Sequence, residues 1–499
     1  MNGQVVKKVV IAGGGTAGWI AAMALARQLG PFLDIALVES EEIGTVGVGE
    51  STIPTTQAFH RLIGIDERAF VCATRSTFKL GILFEDWSRI GDRYIHSFGA
   101  TGRGTWMGDF QHLWLEARAQ GLAGDYGEHG FEHEAARARK FATADKAPGG
   151  RINYAYHLEA SLYAKYLRGL TEKAGVRRIE GKIAAVDQDP ETGFIRALAL
   201  ESGERVEGDL FIDCTGFRGL LIEQTLKAGF EDWRHWLPTD SAIAVQTKAV
   251  GPAVPYTRAI AHRAGWQWRI PLQHRVGNGL VFASEHMDEE SAQALLRERL
   301  EGEMLTEPRL IRFKAGRRRK VWDRNCIALG LASGFIEPLE STSIHLIMIA
   351  VTRLIQSFPF GGVNAAVTAR FNDQSARELI GIRDFIILHY RLNQRDDGDF
   401  WPRMREVDIP DTLAQRIDAF RESALAWQDA EELFRIDSWV QVMLGQRLEP
   451  KSWHRMGRLM KPAQLEQALR DLRTNVARAV AAMPDHQAFL DGYCATNRA

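Results

Sequence analysis

The sequence predicts a mixed α/β fold: a dinucleotide-binding βαβ unit at the N-terminus, a body of mixed strands and helices to about residue 360, and a helical region beyond it. Three observations carry that reading. A β-branched run, Val5 to Ala12, leads straight into Gly13-Gly14-Gly15-Thr16-Ala17-Gly18. Short alternating strands punctuated by turn residues follow between Val176 and Phe211. From Phe360 onward, helical patterns dominate and strand-like runs become few.

The first element is a strand because β-branched side chains favour extended backbone. Glycines then open a tight turn, and an Ala-rich helix runs from about Ala17 to Gln28 until Gly30-Pro31 stops it. A second strand, Asp34 to Val38, ends in Glu39, 21 residues beyond Gly18. Strand, G-x-G-x-x-G, helix, strand and terminal acid together form the dinucleotide unit. Gly13, Gly15 and Gly18 let the backbone approach a pyrophosphate, with Thr16 and Ala17 at the helix start where free N–H groups stabilise its charge. Glu39 is spaced to accept from a ribose hydroxyl.

The meander from Val176 is turned by Asp189-Pro190-Glu191-Thr192-Gly193 and by Ser202-Gly203. It closes on the buried run Leu210 to Gly216, and a later strand from Cys326 to Leu329 closes on Gly330. The predicted division is a cofactor body over 1–360, with a surface excursion near 118–150, and a helical substrate-side subdomain over 361–499. In the excursion, the spacing of Glu128-His129 and Glu132-His133-Glu134 matches no standard metal site, so solvated side chains are expected.

Composition narrows the function. With 62 Lys and Arg against 63 Asp and Glu, the formal charge is −1, so no sequence-wide field draws nucleic acid or anionic lipid. Arg317-Arg318-Arg319-Lys320 follows a glycine and is expected in a solvated turn. None of the four cysteines, Cys72, Cys214, Cys326 and Cys494, stands in a C-x-x-C spacing, so neither a disulfide framework nor a zinc cluster is expected. No run approaches the ~18 apolar residues of a membrane span; Ile344 to Ile355 is interrupted by His345 and Arg353. The expectation is a soluble, reduced, cytoplasmic protein.

Three stretches call for chemistry. In Trp266-Gln267-Trp268-Arg269-Ile270-Pro271 the tryptophans share one strand face; read alone they are a buried aromatic pair. In Glu337-Pro338-Leu339-Glu340-Ser341-Thr342-Ser343 two carboxylates precede three hydroxyls at a helix start. Ser341 or Thr342 could be a simple N-cap, but the same place offers N–H groups to an anion. Lys79 sits among Phe78, Leu80, Ile82, Phe84 and Trp87. A lysine there either snorkels to solvent or, if it cannot, has its amine made available for chemistry.

With these residues assembled, the chain resembles the flavin-dependent halogenases of the tryptophan-halogenase type. The W-x-W-x-I-P at Trp266, Trp268, Ile270 and Pro271 is a hallmark of that family. Gly47-Val48-Gly49-Glu50-Ser51-Thr52-Ile53-Pro54 resembles its flavin-contacting loop. Phe78-Lys79 matches its catalytic-lysine segment, Pro338-Leu339-Glu340-Ser341-Thr342 its catalytic-glutamate segment, and His96-Ser97-Phe98 its substrate-pocket segment. His389-Tyr390, Arg395-Asp396 and Phe400-Trp401 match a late signature, so the matches run from residue 13 to residue 401.

The resemblance implies a flavoprotein fold of the two-dinucleotide type that binds FAD through Gly13, Gly15, Thr16, Ala17, Gly18, Glu39, Gly49, Glu50, Ser51 and Gly330. It implies reduced FAD delivered by a separate flavin reductase, with O2 and a halide as co-substrates, yielding hypohalous acid. Backbone N–H groups around Thr342 and Ser343 would hold the halide. Lys79 would activate the hypohalous acid, by hydrogen bonding or as a haloamine, and Glu340 would orient it or accept the proton lost from the arene. Trp266 and Trp268 would wall organic substrate off from the flavin. A homodimer is the default assembly.

Two departures matter. Ser343 stands where many members have glycine, leaving the choice between bromide and chloride open. Tyr493 is the single tyrosine after residue 400, whereas members acting on free tryptophan grip its amino-acid end with a tyrosine pair. Trp427, Trp439 and Trp453 are expected to pack in helix cores. An indole or other electron-rich arene, or a tryptophan side chain presented otherwise than as the free amino acid, is therefore the expected substrate. Two alternatives stand: an aromatic monooxygenase of the same fold, opposed by W-x-W-x-I-P and by Leu331 where an Asp is usual, and a retired flavin-binding protein, opposed by the presence of Lys79 and Glu340.

Overall fold

In the computed structural model, which describes residues 5–43, 49–147 and 152–495, the chain forms two units. One comprises Met1–Ser76, Leu158–Asp240 and Arg312–Leu379; the other comprises Thr77–His157, Ser241–Ile311 and Ile380–Ala499. Gly47 and Val48 of the expected flavin loop lie outside the described residues.

The first unit is built on a six-stranded sheet in the order Trp322–Asp323, Cys326–Ala328, Leu210–Asp213, Lys8–Ala12, Asp34–Glu39, Arg177–Glu180. All pairings are parallel except the first, which is antiparallel. Parallel strands covered on both faces read as continuous apolar runs, and Val9, Val10, Ile11 and Ala12 are all buried. The helix Thr16–Leu29 follows the glycine turn and buries Trp19, Ile20 and Leu25. Both ends of the predicted βαβ unit agree with the observed elements to within a few residues. The meander appears as a three-stranded antiparallel sheet of Ile183–Gln188, Ile195–Leu200 and Arg205–Glu207.

The second unit contains a mixed sheet in which Ser241–Thr247, Val276–Phe282, Gly265–Pro271, Thr257–His262, Gly81–Glu85 and Arg93–Ser97 lie side by side in that order. The W-x-W-x-I-P segment is an inner strand of it, buried along its whole length. Trp268 faces Gly279, where a Cβ would stand 2.0 Å from the indole, so only glycine leaves the ring room. Helices follow, among them Asp411–Ser423, Ile436–Gly445, Pro462–Ala481 and His486–Tyr493. Trp439 packs in this helical region, and Arg416 lies over the rings of both Trp427 and Trp439.

Four expectations fail. In the predicted surface excursion His129, Glu132 and Glu134 are buried, not solvated, and Trp427 and Trp453 lie half-buried outside the helices instead of in helix cores. Arg317 and Arg318 sit on the strand Gly316–Arg318, not in a solvated turn. Arg318 is buried and paired with Glu223, and Arg317 with Glu231; local charge density gave no sign of these partners. The cysteines also divide: Cys214 and Cys326 are free, whereas Cys72 and Cys494 are disulfide-bonded. Motif spacing gives no sign of such linkage. Among the described residues no helix is long and apolar enough to cross a membrane.

Candidate active site

The glycine turn of the first unit is a cradle made by missing side chains. Gly13 takes φ 109°, where its amide donates to the Val38 carbonyl at 2.8 Å. A Cβ on Gly13 would lie 2.4 Å from the Cys214 carbonyl oxygen, and one on Gly18 would lie 1.9 Å from that of Gly13. A Cβ on Gly14 would collide with the Glu39 carboxylate, whereas among the described residues nothing lies within 4 Å of one on Gly15. The turn therefore packs tightly below and opens above at Gly15. That residue is also the N-cap of the helix Thr16–Leu29, and among the described residues no side chain bonds the helix N–H groups there.

Glu39 places Oε2 over Gly14, while its Oε1 accepts from Arg178 Nε at 2.6 Å. One carboxylate oxygen is thus anchored and the other borders the cradle. Gly330, at φ 60°, brings its backbone against Ala17, where a Cβ would stand 2.9 Å away. An open anion-sized face, uncapped helix N–H groups and an anchored acid fit a dinucleotide such as FAD. Asp213, at the end of the neighbouring strand, accepts from the amides of Thr215, Leu221 and Ile222; its work is to brace the adjoining turn.

The glutamate segment lies in the same unit. Glu340 and Ser341 both hold positive φ, 65° and 60°, a conformation costing about 1–3 kcal/mol in a non-glycine residue. Ser341 contacts the Ser51 hydroxyl, so the loop bearing Gly49, Glu50 and Ser51 meets this segment. Burial of the Glu50 carboxyl pushes it up to about 7. Glu340 is buried. Thr342 is the N-cap of the helix Ser343–Gln356, and among the described residues no side chain caps the N–H groups at Ser343. The expectation left Ser341 or Thr342 as cap, and the backbone selects Thr342. Just inside, His345 Nδ1 meets Thr55 Oγ1 at 3.0 Å and Nε2 meets Glu378 at 3.1 Å, while Arg353 pairs with Glu378 at 2.8 Å. Sequence reasoning passed over this bracing network.

In the second unit Lys79 ends the short strand Thr77–Lys79, antiparallel to Ala155–Glu159. It is fully buried, with Nζ 5.2 Å from the centroid of the Phe98 ring. The snorkelling alternative is thereby excluded, and two residues predicted from separate motifs come together. His96 is buried with its ring 5.6 Å from Phe385 and 6.3 Å from Phe434. Trp266 and Trp268 stack side by side, 6.2 Å apart at 59°. Pro271 accepts through its carbonyl from Thr77 Oγ1 at 2.7 Å, joining the W-x-W-x-I-P strand to the lysine strand. Thr77, His157 and His486 around Lys79 carry no local sequence signal; their partners lie 80 to 408 residues away in the chain.

Comparison with known proteins decides the family. The tryptophan halogenase family model matches residues 8–462. Tryptophan 6-halogenase SttH of Streptomyces toxytricini is 35% identical over 459 residues, covering 87% of each chain. The chain belongs to the tryptophan halogenase family. Among solved structures, the flavin-dependent halogenase Xcc4156 of Xanthomonas campestris superposes with a TM-score of 0.96 at 52% identity, covering 98% of this chain and 99% of its own. BrvH, a flavin-dependent halogenase of Brevundimonas sp. BAL3, gives 0.93 at 44% identity with coverage of 98% and 99%. The predicted fold class and enzyme class hold: this is a flavin-dependent halogenase, an oxidoreductase that halogenates tryptophan-like arenes with FADH2.

Proposed function

We propose that this halogenase uses hypohalous acid, made from bromide or chloride, to halogenate an indole or other electron-rich arene through Lys79. FAD, reduced by a separate flavin reductase and bound at Gly13, Gly15, Thr16, Ala17, Gly18, Glu39, Gly49, Glu50, Ser51 and Gly330, supplies with O2 the two-electron oxidation of halide. The open N–H groups at Thr342 and Ser343 hold the halide, and Trp266, Trp268, Ile270 and Pro271 form an apolar wall. Glu340 takes the proton that leaves the ring carbon as the carbon–halogen bond forms.

The enclosure of Lys79 is the observation that carries the reading. A buried amine beside an aromatic ring is held away from water and can donate to hypohalous acid or form a haloamine. His96 and Phe98 are the arene-side contacts. Free tryptophan is disfavoured because Tyr493 is committed to packing against Phe78 and Phe489, leaving the C-terminal region without a tyrosine pair for an amino-acid end. The enzyme acts in the cytoplasm, where reduced flavin is supplied.

Mass spectrometry of reactions with indole, FAD, a flavin reductase, NADH and air tests this in three arms: bromide, chloride and no halide. A product with the halogen isotope pattern, absent without halide, is the expected result, and the bromide-to-chloride ratio reads the Ser343 seat. A hydroxylated product formed in all three arms would replace the proposal with a monooxygenase.

A further inference from the structure

The lysine strand is held on its two sides by two buried histidines. Thr77 and Lys79 are two residues apart and share a strand face, and Thr77 stands directly opposite His157 in the antiparallel pair. A hydroxyl has one proton, and that of Thr77 goes to the Pro271 carbonyl at 2.7 Å. Thr77 Oγ1 therefore accepts from His157 Nδ1–H, at 2.9 Å. His157 Nε2, 3.0 Å from Thr257 Oγ1, is left as an acceptor in the neutral ring. On the other side, His486 donates from Nδ1 to the Ala253 carbonyl at 2.8 Å and accepts at Nε2 from the Phe78 amide at 3.2 Å. Both rings are thus held as single tautomers by their partners, and both are fully buried.

Charge requires the same state. Burial pushes His157 well below its ordinary value, and the charges of Lys79 and of a protonated His486 would push it the same way. Burial takes His486 down to about 4. A protonated His486 would turn its Nε2 into a donor facing the Phe78 N–H, and a protonated His157 would set a second cation beside Lys79.

We propose that Thr77, His157 and His486 are positioning residues for Lys79: a chain of hydrogen bonds from Thr257 through His157 and Thr77 to the Pro271 carbonyl, with His486 on the Phe78 amide, fixes the direction of the lysine amine without adding charge. The chain also ties the lysine strand to the end of the W-x-W-x-I-P segment, giving the carbonyl of Pro271 a role apart from its ring. This rests on the proposed part of Lys79 in the reaction.

The test compares Thr77→Val with Thr77→Ser. Valine keeps the shape and deletes the hydroxyl, whereas serine keeps the hydroxyl and deletes a methyl. If Thr77 only packs, serine is the worse variant; if it relays hydrogen bonds, valine is. The expected result is that Thr77→Val loses at least about tenfold in kcat for indole halogenation with KM and FAD affinity within twofold, while Thr77→Ser stays within about threefold of the parent. A second readout needs no activity: competitive acetylation of Lys79, followed by mass spectrometry across pH, is expected to change at least threefold in Thr77→Val and to match the parent in Thr77→Ser. Should indole not be halogenated by the parent, indole fails as the substrate, and the acetylation ratio alone still decides the positioning role. Should Thr77→Val not accumulate folded, Thr257→Val against Thr257→Ser runs the same comparison from the other end of the chain. A valine variant that turns over at least as fast as its serine counterpart, or unchanged Lys79 acetylation, overturns the proposal.

Discussion

The glycine cradle and the lysine strand solve opposite problems. At the cradle, the design depends on side chains being absent: Gly13 and Gly18 allow close backbone approach, and Gly15 leaves a face with nothing within 4 Å among the described residues. At the lysine strand it depends on side chains being present and enclosed: Lys79, Thr77 and His157 all have 0% exposure. An open site for a large anion tolerates solvent because helix N–H groups need no precise surroundings to attract charge. An amine that steers an electrophile needs its direction fixed and water excluded, and only distant parts of the chain can supply that. The difference teaches where each kind of site is vulnerable: the cradle to any added methyl, the lysine strand to loss of a single polar atom.

The largest expected effect lies on the enclosed side. Lys79→Ala should lower arene halogenation by at least about 10³-fold while FAD affinity changes less than twofold, measured by product formation and flavin titration. A parallel loss of FAD binding would blur the contrast between the two regions. Glu340→Gln should lower the rate by about 10²-fold, because the amide cannot take the ring proton; an unchanged rate removes that role.

The cradle predicts a split between two neighbouring glycines. Gly13→Ala collides with the Cys214 carbonyl and forces alanine into a left-handed backbone, so a stability loss above about 3 kcal/mol is expected. Gly15→Ala meets nothing among the described residues, so it should leave the melting temperature unchanged while weakening FAD about tenfold, a cost of about 1.4 kcal/mol. Equal effects of the two on the melting temperature would contradict the open face.

Smaller effects follow from pH. Burial takes His60 to about 3 and His486 to about 4 from the ordinary 6.5. Their unfolded forms bind protons first as pH drops, so their stability contribution is complete above pH 6.5, falls as pH drops and is lost by about pH 3–4, at most ~3–5 kcal/mol each. Glu50, raised from 4.5 to about 7, has the opposite sign: its contribution is complete below pH 4.5 and is lost as pH rises through 7. Glu50→Gln should therefore remove that decline, raising stability at pH 8 by up to ~3 kcal/mol in denaturant titrations.

The cradle was legible in the sequence because its parts are contiguous: strand, glycines, helix and Glu39 follow within 32 residues of Lys8. The W-x-W-x-I-P strand was legible for a like reason, since period-two tryptophans and a closing proline define a strand by themselves. Lys79 stood out as an odd residue in an apolar run, but what surrounds it did not. Thr77 meets Pro271 and Phe78 meets His486 across separations of 194 and 408 residues, which no periodicity encodes. Arg318 misled in the same way: its carboxylate partner, Glu223, lies 95 residues upstream in the sequence. The Glu340-Ser341 kink was invisible too, since neither residue type announces a positive φ.

Trapping of hypohalous acid in solution by Lys79→Ala tests the division between the two regions most directly. With FAD, a flavin reductase, NADH, air and bromide, and with a soluble halogen-accepting dye in place of indole, the variant should brominate the dye at a rate within about threefold of the parent. The same preparation should leave indole unhalogenated when the free acid is scavenged. Loss of dye bromination in step with indole halogenation would contradict the account, because Lys79 would then be needed to make the oxidant and not only to direct it.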